Sequence, residues 1–313
     1  MKIRPLMAAG LGFDFMEDFW DSVEEAMTNM VNESLNAAME LLSVSLETDG
    51  MVSDYLNTHP ANFTGTSEAG ATAIWSTIEL LCNNAVVPIA GMILAIILIN
   101  DLIQTVISGN NFHDFDTSIF VKWVIKCLCG IMILSNTFYI ASGIFSFGVN
   151  ATSSAISTLL GTTEPLNGSI SIADDYNVGT LFVLLVISGL LLIGILALIA
   201  VIIVVLCSRI IEIFMYLGVS PIPAATFMNR DWQSMGYGWL RNLLALSFQG
   251  MFIIIALAIF TTLFENVVAN LSTVGTGTWA PILQMGTLMG YVLALIFTIL
   301  RSGSISKSIF GAH

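Results

Sequence analysis

The chain has 313 residues, of which 56% are hydrophobic and only 10% carry a charge, and its formal net charge is −13. A soluble domain carries about 25% charged residues, so this composition excludes a soluble fold and predicts a polytopic membrane protein. The charge is unevenly placed, because residues 1–79 hold 13 acidic and only two basic side chains. An acidic segment of this kind excludes nucleic-acid binding through counterion release.

Within the acidic segment 1–79, residues 14–48 are predicted to form an amphipathic helix. Apolar side chains recur there at spacings of three and four residues, and acidic side chains occupy much of the remaining surface. Such a helix either packs on its own protein or docks partner subunits or neighbouring copies, and the sequence leaves both open. Anionic lipid would repel it. Residues 49–73, with several Gly, Ser and Thr, predict a loop.

Five apolar stretches are each long enough to cross a membrane, whose hydrocarbon core needs about 20 apolar residues in a helix. They lie at residues 84–107, 119–147, 179–208, 243–264 and 281–300. Pro88 falls in the first turns of the first stretch, where a missing backbone donor matters least. Asp101, near the other end of that stretch, should face protein or water. The predicted fold class is all-α, a polytopic helical membrane protein with about five transmembrane helices.

The connection between the first two spans contains three residues of types that can ligate metals, His113, Asp114 and Asp116. No other His or Cys is placed to complete a coordination shell. We therefore interpret these residues as part of a solvated loop that caps the neighbouring helices. We expect no metal at this position.

Basic residues predict the orientation of the chain in the membrane. Lys122, Trp123 and Lys126 open the second span, and this combination is typical of a membrane–water boundary. With five crossings, seven of the nine basic residues fall on one side, which the positive-inside rule makes the cytoplasmic side. The protein is thus predicted to be a multi-pass cell-membrane protein, with an extracytoplasmic N-terminus and a cytoplasmic tail, residues 301–313.

The stretch 210–241 begins as an apolar run but is interrupted by Pro221 and Pro223, which suit a straight helix poorly. A crossing through residues 210–226 would place the C-terminus outside and divide the basic residues between the two sides. We therefore predict a re-entrant or interfacial, Pro-broken helical hairpin at the cytoplasmic side. A sixth span is the alternative.

The sequence contains no nucleotide-binding loop of the Walker type, no zinc-binding helix motif and no nucleophile elbow. We accordingly expect no catalytic residue and no cofactor. Arg209 and Glu212 lie three residues apart and are placed to pair across one helical turn. Because the ionisable residues cluster at span ends, a scaffold or a wide assembled conduit is favoured. A small-solute transporter or ion channel, and a purely structural anchor, are the alternatives.

Four short motifs stand out: P-I-A-G at 88–91, N-N-x-H-D-x-D-T at 110–117, S-P-I-P-x-A-T at 220–226 and N-R-x-W at 229–232. They lie within the stretches 86–126 and 211–232, the second of which continues into 239–250. These stretches resemble the TrbL-type conjugal transfer family in its form from Gram-positive integrative conjugative elements. That family is the polytopic membrane subunit of type IV secretion systems. The acidic N-terminal segment takes no part in the resemblance.

The resemblance implies a non-enzymatic subunit of the membrane complex that moves relaxase-bound DNA out of a donor cell. It implies several partners: other type IV secretion membrane subunits, the secretion ATPases that supply energy, further copies of the chain, and transient contact with the transferred single-stranded DNA. Membrane lipid is a further partner. The residues expected to carry the function lie in one element: Glu212, Pro221, Pro223, Asn229, Arg230, Trp232 and Arg241. Whether the arginines meet DNA phosphate or an acidic ATPase face, or only anchor the element at lipid headgroups, stays open.

Overall fold

The computed structural model describes residues 13–46, 51–62, 68–108, 117–159, 176–271 and 279–312. These residues are almost entirely helical, and no strand occurs among them. In chain order the helices are α1 (Phe13–Leu46), α2 (Met51–Asn57), α3 (Glu68–Leu81), α4 (Val87–Ser108), α5 (Thr117–Leu159), α6 (Val178–Gly218), α7 (Pro221–Ala225), α8 (Gln233–Leu271) and α9 (Ala280–Ile309). Short 3-10 turns occur at Pro60–Asn62 and Thr226–Met228, and a π-helical turn at Cys82–Val86.

Five helical stretches among the described residues are long and apolar enough to cross a membrane. They are Ile74–Ile107, Phe120–Leu159, Val178–Gly218, Gln233–Asn270 and Ala280–Ile309. Each overlaps one of the predicted spans, so the all-α polytopic membrane fold is confirmed. The observed helices are longer than predicted because hydropathy marks the part of a helix that suits hydrocarbon, whereas the helix itself continues into polar surroundings.

The prediction of a loop at residues 49–73 is wrong for most of that range. α2, the 3-10 turn and the first residues of α3 occupy it. The ring of His59 packs 5.7 Å from that of Trp75, centroid to centroid. Burial lowers the pKa of His59 below its ordinary 6.5, and a hydrogen bond with the backbone of Ser142 partly opposes this shift.

Pro88 lies inside a continuous helical rod, so its predicted place at a helix start is also wrong. α3, the π-helical turn and α4 follow one another without a break from Glu68 to Ser108. At the turn, the N–H of Val87 donates to the carbonyl of Cys82, five residues earlier. A proline within a helix lacks a donor and crowds the preceding turn, and a π-helical turn is one of the recognised ways a helix departs from its regular bonding at such a position.

The described chain falls into two compact units. The first unit consists of the described parts of residues 1–54, 156–204 and 254–300. Its α6 buries a line of leucines at intervals of seven residues, among them Leu184, Leu191 and Leu198. On the same helix, a Cβ added to Gly194 would lie 3.3 Å from the sulfur of Met289 on α9. Small residues of this kind let membrane helices approach closely.

The second unit consists of the described parts of residues 55–155, 205–253 and 301–313. Within it, α5 and α8 approach closely, because a Cβ added to Gly148 would stand 1.9 Å from the hydroxyl oxygen of Ser247. That hydroxyl donates to the carbonyl of Ile144 at 2.9 Å. The surrounding core contains Cys82, Phe138, Ala141, Phe145, Ile213, Leu217, Leu243 and Leu246.

Candidate functional site

A short segment, residues 219–232, separates two long helices and contains most of the residues predicted to be functional. α6 continues to Gly218, and α8 begins at Gln233. The predicted element 210–241 therefore has three parts. Residues 210–218 are the end of α6, residues 219–232 are the short segment, and residues 233–241 are the beginning of α8. That the segment re-enters the membrane or lies at its surface stays a prediction.

Two buried prolines set the shape of the segment. Pro221 is the first residue of α7, where the missing N–H would have had no helical partner. The hydroxyl of Ser220 donates to the carbonyl of Leu217 at 2.7 Å, and so satisfies an acceptor at the end of α6. Pro223 is likewise buried. The prolines therefore end one helix and begin the next within the interior of the second unit.

The segment packs on α4 and α5 through apolar side chains. Gly130 of α5 makes room for this contact, because a Cβ there would lie 3.0 Å from Cγ of Met228. The buried cluster at this contact contains Ala90, Leu94, Leu98, Leu134 and Ala225. A methyl group at position 130 would require the side chain of Met228 to shift by a few tenths of an ångström.

Asn229 forms the turn that starts α8. Its side-chain Oδ1 accepts a hydrogen bond from the N–H of Asp231 at 2.7 Å, and its carbonyl accepts one from Gln233 at 2.9 Å. Its backbone is extended. Oδ1 of Asn229 thus acts as an N-cap side chain does, in the turn of residues 229–232 that leads into α8. Asn229 is buried, and its Nδ2 has no hydrogen-bond partner among the described residues.

The segment forms a side-chain hydrogen bond with α4, and the two elements line a common apolar cavity. Nε2 of Gln104 donates to Oδ2 of Asp231 at 3.0 Å. A cavity of about 430 Å³ is also present. Its lining comes from α4, the segment and the first turn of α8: Ile93, Ile96, Ile97, Asn100, Ile222, Thr226, Trp232 and Met235.

Three of the predicted functional residues point outward from this framework. Arg230 and Arg241 are exposed, and Trp232 is 48% exposed. Neither arginine forms an ion pair with any residue that the structure describes. The segment therefore combines a buried side with an outer side that offers the cation of Arg230 and part of the indole ring of Trp232, whereas Arg241 lies beyond it on α8.

α4 and α5 are themselves joined by the residues predicted to mark the membrane boundary. Nζ of Lys126 lies 2.7 Å from Oδ2 of Asp101, so Asp101 faces protein. The indole N–H of Trp123 donates to the carbonyl of Leu98 at 3.2 Å. Lys122 is exposed. Trp123 and Lys126 therefore hold two helices together, in addition to any role at the lipid surface.

The family described as "TrbL/VirB6 plasmid conjugal transfer like protein" matches residues 50–221, more than half of the chain. The chain belongs to the TrbL/VirB6 family. No curated protein and no solved structure matches it.

The TrbL/VirB6 match extends from α2 through α6 to Pro221, the first residue of α7, and so ends before Pro223. It includes the whole of the stretch 86–126, but of the second stretch only residues 211–221. Asn229, Arg230 and Trp232 therefore lie beyond the matched range, although their segment packs on helices inside it.

The loop residues His113, Asp114 and Asp116, which the sequence analysis singled out, lie outside the described residues. Among the residues that the structure does describe, no group of three His, Cys, Asp or Glu side chains could hold a metal ion. For this TrbL/VirB6 family member, the expectation of no metal at the loop stays a prediction.

The predicted pairing of Arg209 with Glu212 is wrong. Arg209 is 5% exposed, and its guanidinium donates to the carbonyls of Leu246 and Ser247 at 3.2 and 3.1 Å. Gly250 leaves room for it, since a Cβ there would stand 2.8 Å from Nη1 of Arg209. The two side chains form no ion pair in the described part of the chain. A spacing of three residues allows a pair, but contact with α8 takes precedence.

Glu212 instead lines a second cavity of about 340 Å³. Gln249 of α8 and Lys307 of α9 line the same cavity, and Nε2 of Gln249 donates to the hydroxyl of Ser302 at 3.2 Å. Sequence reasoning missed Gln249 and Ser302. Each is one of several polar side chains on its helix, so neither stands out in the sequence.

Proposed function

We propose that this TrbL/VirB6 family member is a channel or scaffold subunit of a conjugative type IV secretion system that helps to move relaxase-bound DNA across the cytoplasmic membrane. In this proposal it is not an enzyme, and partner ATPases supply the energy. It works in several copies together with other membrane subunits. The observation that carries the proposal is the family match over residues 50–221.

The geometry of segment 219–232 supports this role. Pro221, Pro223 and Asn229 are buried and hold the segment against α4 and α5, so its outer side is presented on a fixed framework. Arg230 and Trp232 on that side suit single-stranded DNA, because a guanidinium pairs with phosphate and an indole stacks on bases. An acidic face of a secretion ATPase would meet the same cations.

Deletion of the gene tests the proposed function. We expect DNA transfer to be lost while relaxase nicking at the transfer origin continues, because the channel acts after DNA processing. Complementation with the intact gene should restore transfer. Normal transfer in a clean deletion would contradict the proposal and favour a small-solute transporter or channel.

Reversing the charge of Arg230 tests the segment. With protein level unchanged, Arg230→Glu should lower transfer frequency, whereas the matched control Arg230→Lys keeps the charge and should retain most of it. A photo-crosslinker at Trp232 then distinguishes DNA from an ATPase. Full transfer by Arg230→Glu would contradict a contact with DNA or an ATPase and would favour anchoring of the segment at lipid headgroups.

The orientation is also proposed: an extracytoplasmic N-terminus and a cytoplasmic C-terminus, with segment 219–232 on the cytoplasmic side. The uneven distribution of basic residues supports it. Reporter fusions after Asn150, Trp232 and His313 test it. An external signal from the His313 fusion would overturn the five-span orientation.

A further inference from the structure

The cavity of about 340 Å³ in the second unit is lined by charges of both signs. Glu212 of α6 contributes a carboxylate, and Lys307 of α9 contributes an ammonium group. The two groups form no ion pair in the described part of the chain. The volume equals that of about ten water molecules, and it falls in the range of small-molecule sites, about 300–1,000 Å³. The cavity therefore has room for a ligand and offers it a charge of each sign.

A buried amide adds a hydrogen-bond acceptor to the lining. Gln249 of α8 is 8% exposed, and its Nε2 donates to the hydroxyl of Ser302 at 3.2 Å. Its Oε1 has no hydrogen-bond partner among the described residues. Gly303 leaves room for the amide, since a Cβ there would lie 3.3 Å from Nε2. A largely buried acceptor without a donor favours a ligand that carries N–H groups.

The donors for an anionic group stand on α9. Ser304 and Lys307 line the cavity three residues apart, and so share one side of the helix. Both are exposed, so the cavity can be entered from outside. A ligand with only a negative charge would be repelled by Glu212, and one with only a positive charge by Lys307. The ligand that suits the whole lining is a zwitterion, with a primary ammonium for Glu212 and Gln249 and an anion for the donors of α9.

The position of the cavity along the helices indicates the source of this zwitterion. Glu212 lies four residues beyond the apolar stretch 179–208, and the lining residues of α9 lie three to seven residues beyond the stretch 281–300. Those of α8 lie in the first two turns of the stretch 243–264. All three helices therefore line the cavity where hydrocarbon gives way to polar surroundings, which is the depth of lipid headgroups.

We propose that this cavity binds the headgroup of phosphatidylethanolamine. The ammonium group of the lipid donates to the carboxylate of Glu212 and to Oε1 of Gln249, and its phosphate accepts from Lys307 and Ser304. Phosphatidylcholine carries the same phosphate, but its quaternary ammonium has no N–H to donate. The proposal concerns a cavity that segment 219–232 does not line, and it holds whether or not the chain serves DNA transfer.

Native mass spectrometry of the full chain in detergent tests the proposal. The chain is titrated with phosphatidylethanolamine and, separately, with phosphatidylcholine of identical acyl chains, so that only the headgroup differs. We expect phosphatidylethanolamine to bind at least about tenfold more tightly, because its N–H groups form charge-assisted hydrogen bonds in a largely buried place.

Three variants locate the binding site. Glu212→Gln should remove the preference for phosphatidylethanolamine, and Lys307→Gln should weaken binding of that lipid. Arg301→Gln is the matched control, because it removes an exposed cation from the same helix that does not line the cavity. It should keep both the affinity and the preference. Since Glu212 is partly exposed and Lys307 is exposed, all three variants should keep the melting temperature of the unchanged chain.

Several outcomes would overturn the proposal. Equal binding of the two lipids would show that the cavity does not recognise the ammonium, and a preference that survives Glu212→Gln would place the lipid elsewhere. Phosphatidylglycerol that binds as tightly as phosphatidylethanolamine and is weakened by Lys307→Gln would identify a site for an anion alone. Calorimetric binding of free glycine that is lost in Glu212→Gln, without any preference between the two lipids, would identify a soluble zwitterion as the ligand.

Discussion

Nζ of Lys126 on α5 lies 2.7 Å from Oδ2 of Asp101 on α4, with side-chain exposures of 36% and 18%. We expect Asp101→Asn and Lys126→Gln each to lower the free energy of unfolding by about 1 kcal/mol, because each leaves a partly buried charge without its partner. The combined variant should lose little more than either single one. Reversible unfolding in detergent gives the three values of this double-mutant cycle. Fully additive losses would show that the pair contributes nothing.

Gly148 is predicted to tolerate no side chain. A Cβ there would meet both the hydroxyl of Ser247 at 1.9 Å and its carbonyl oxygen at 2.6 Å. Gly148→Ala should therefore force α5 and α8 apart and cost about 2 kcal/mol. Truncating Ser247 to Gly should not fully rescue it, because the backbone oxygen remains.

Gly143 supplies the matched control for this substitution. It lies on the same helix, and nothing stands within 4 Å of an added Cβ. Gly143→Ala should leave stability unchanged or raise it slightly, since alanine favours a helix. Equal melting temperatures for Gly148→Ala and Gly143→Ala would contradict the close helix contact.

Asn229 is predicted to act through its side-chain oxygen alone. Oδ1 bonds the N–H of Asp231, whereas Nδ2 has no partner among the described residues. Asn229→Ala should cost about 1 kcal/mol through loss of the cap. Asn229→Ser keeps an oxygen acceptor and should retain most of this stability. Thermal unfolding compares the stability of the two variants. Identical losses of stability in Asn229→Ala and Asn229→Ser would rule out a capping role.

Stability should depend on pH through His59. Burial lowers the pKa of His59 in the folded protein below 6.5, so the unfolded chain takes up a proton more readily. The stability that neutral His59 contributes is therefore present above pH 6.5 and is lost as the pH falls through that value toward the lowered pKa. The melting temperature should drop between about pH 7.5 and 5.5.

His59→Gln separates this effect from the titration of other groups. The variant cannot be protonated, so its melting temperature should fall less over the same pH range. If variant and unchanged chain lose the same amount, His59 takes no part in the pH dependence.

The parts of the fold that a membrane imposes could be predicted from composition alone. A span must be apolar over about 20 residues, so five apolar stretches led directly to five helices. The period of α1 was equally readable, because carboxylates and apolar side chains alternate at helical spacing. Helix ends outside hydrocarbon obey no such requirement, which is why α5 and α8 extend beyond their predicted limits.

Contacts between distant helices were harder to predict. The pair Asp101–Lys126 was within reach, because the two residues lie at similar distances on either side of the connection that joins α4 to α5. The contact of Gly148 with Ser247 could not be predicted. It depends on how α5 and α8 are shifted along their axes relative to each other, and this shift leaves no local pattern in the sequence. Arg209 illustrates the same limit. Its spacing from Glu212 suggested an ion pair, whereas the packing of α6 on α8 gives its guanidinium carbonyl oxygens of α8 as hydrogen-bond acceptors.

The π-helical turn at Cys82–Val86 has a consequence for the whole rod formed by α3 and α4. One extra residue in a helix rotates the preceding part of that helix by about 100° relative to the part after it, so this turn sets the rotational phase between α3 and α4. It thereby decides that Trp75 meets Phe138, whose ring centroid lies 5.0 Å away. Removing one residue, such as the exposed Ala85, would restore regular winding and swing Trp75 off its partner. In related chains, a one-residue gap at this position would therefore mark a rotation of the preceding helix, although the number of spans stays the same.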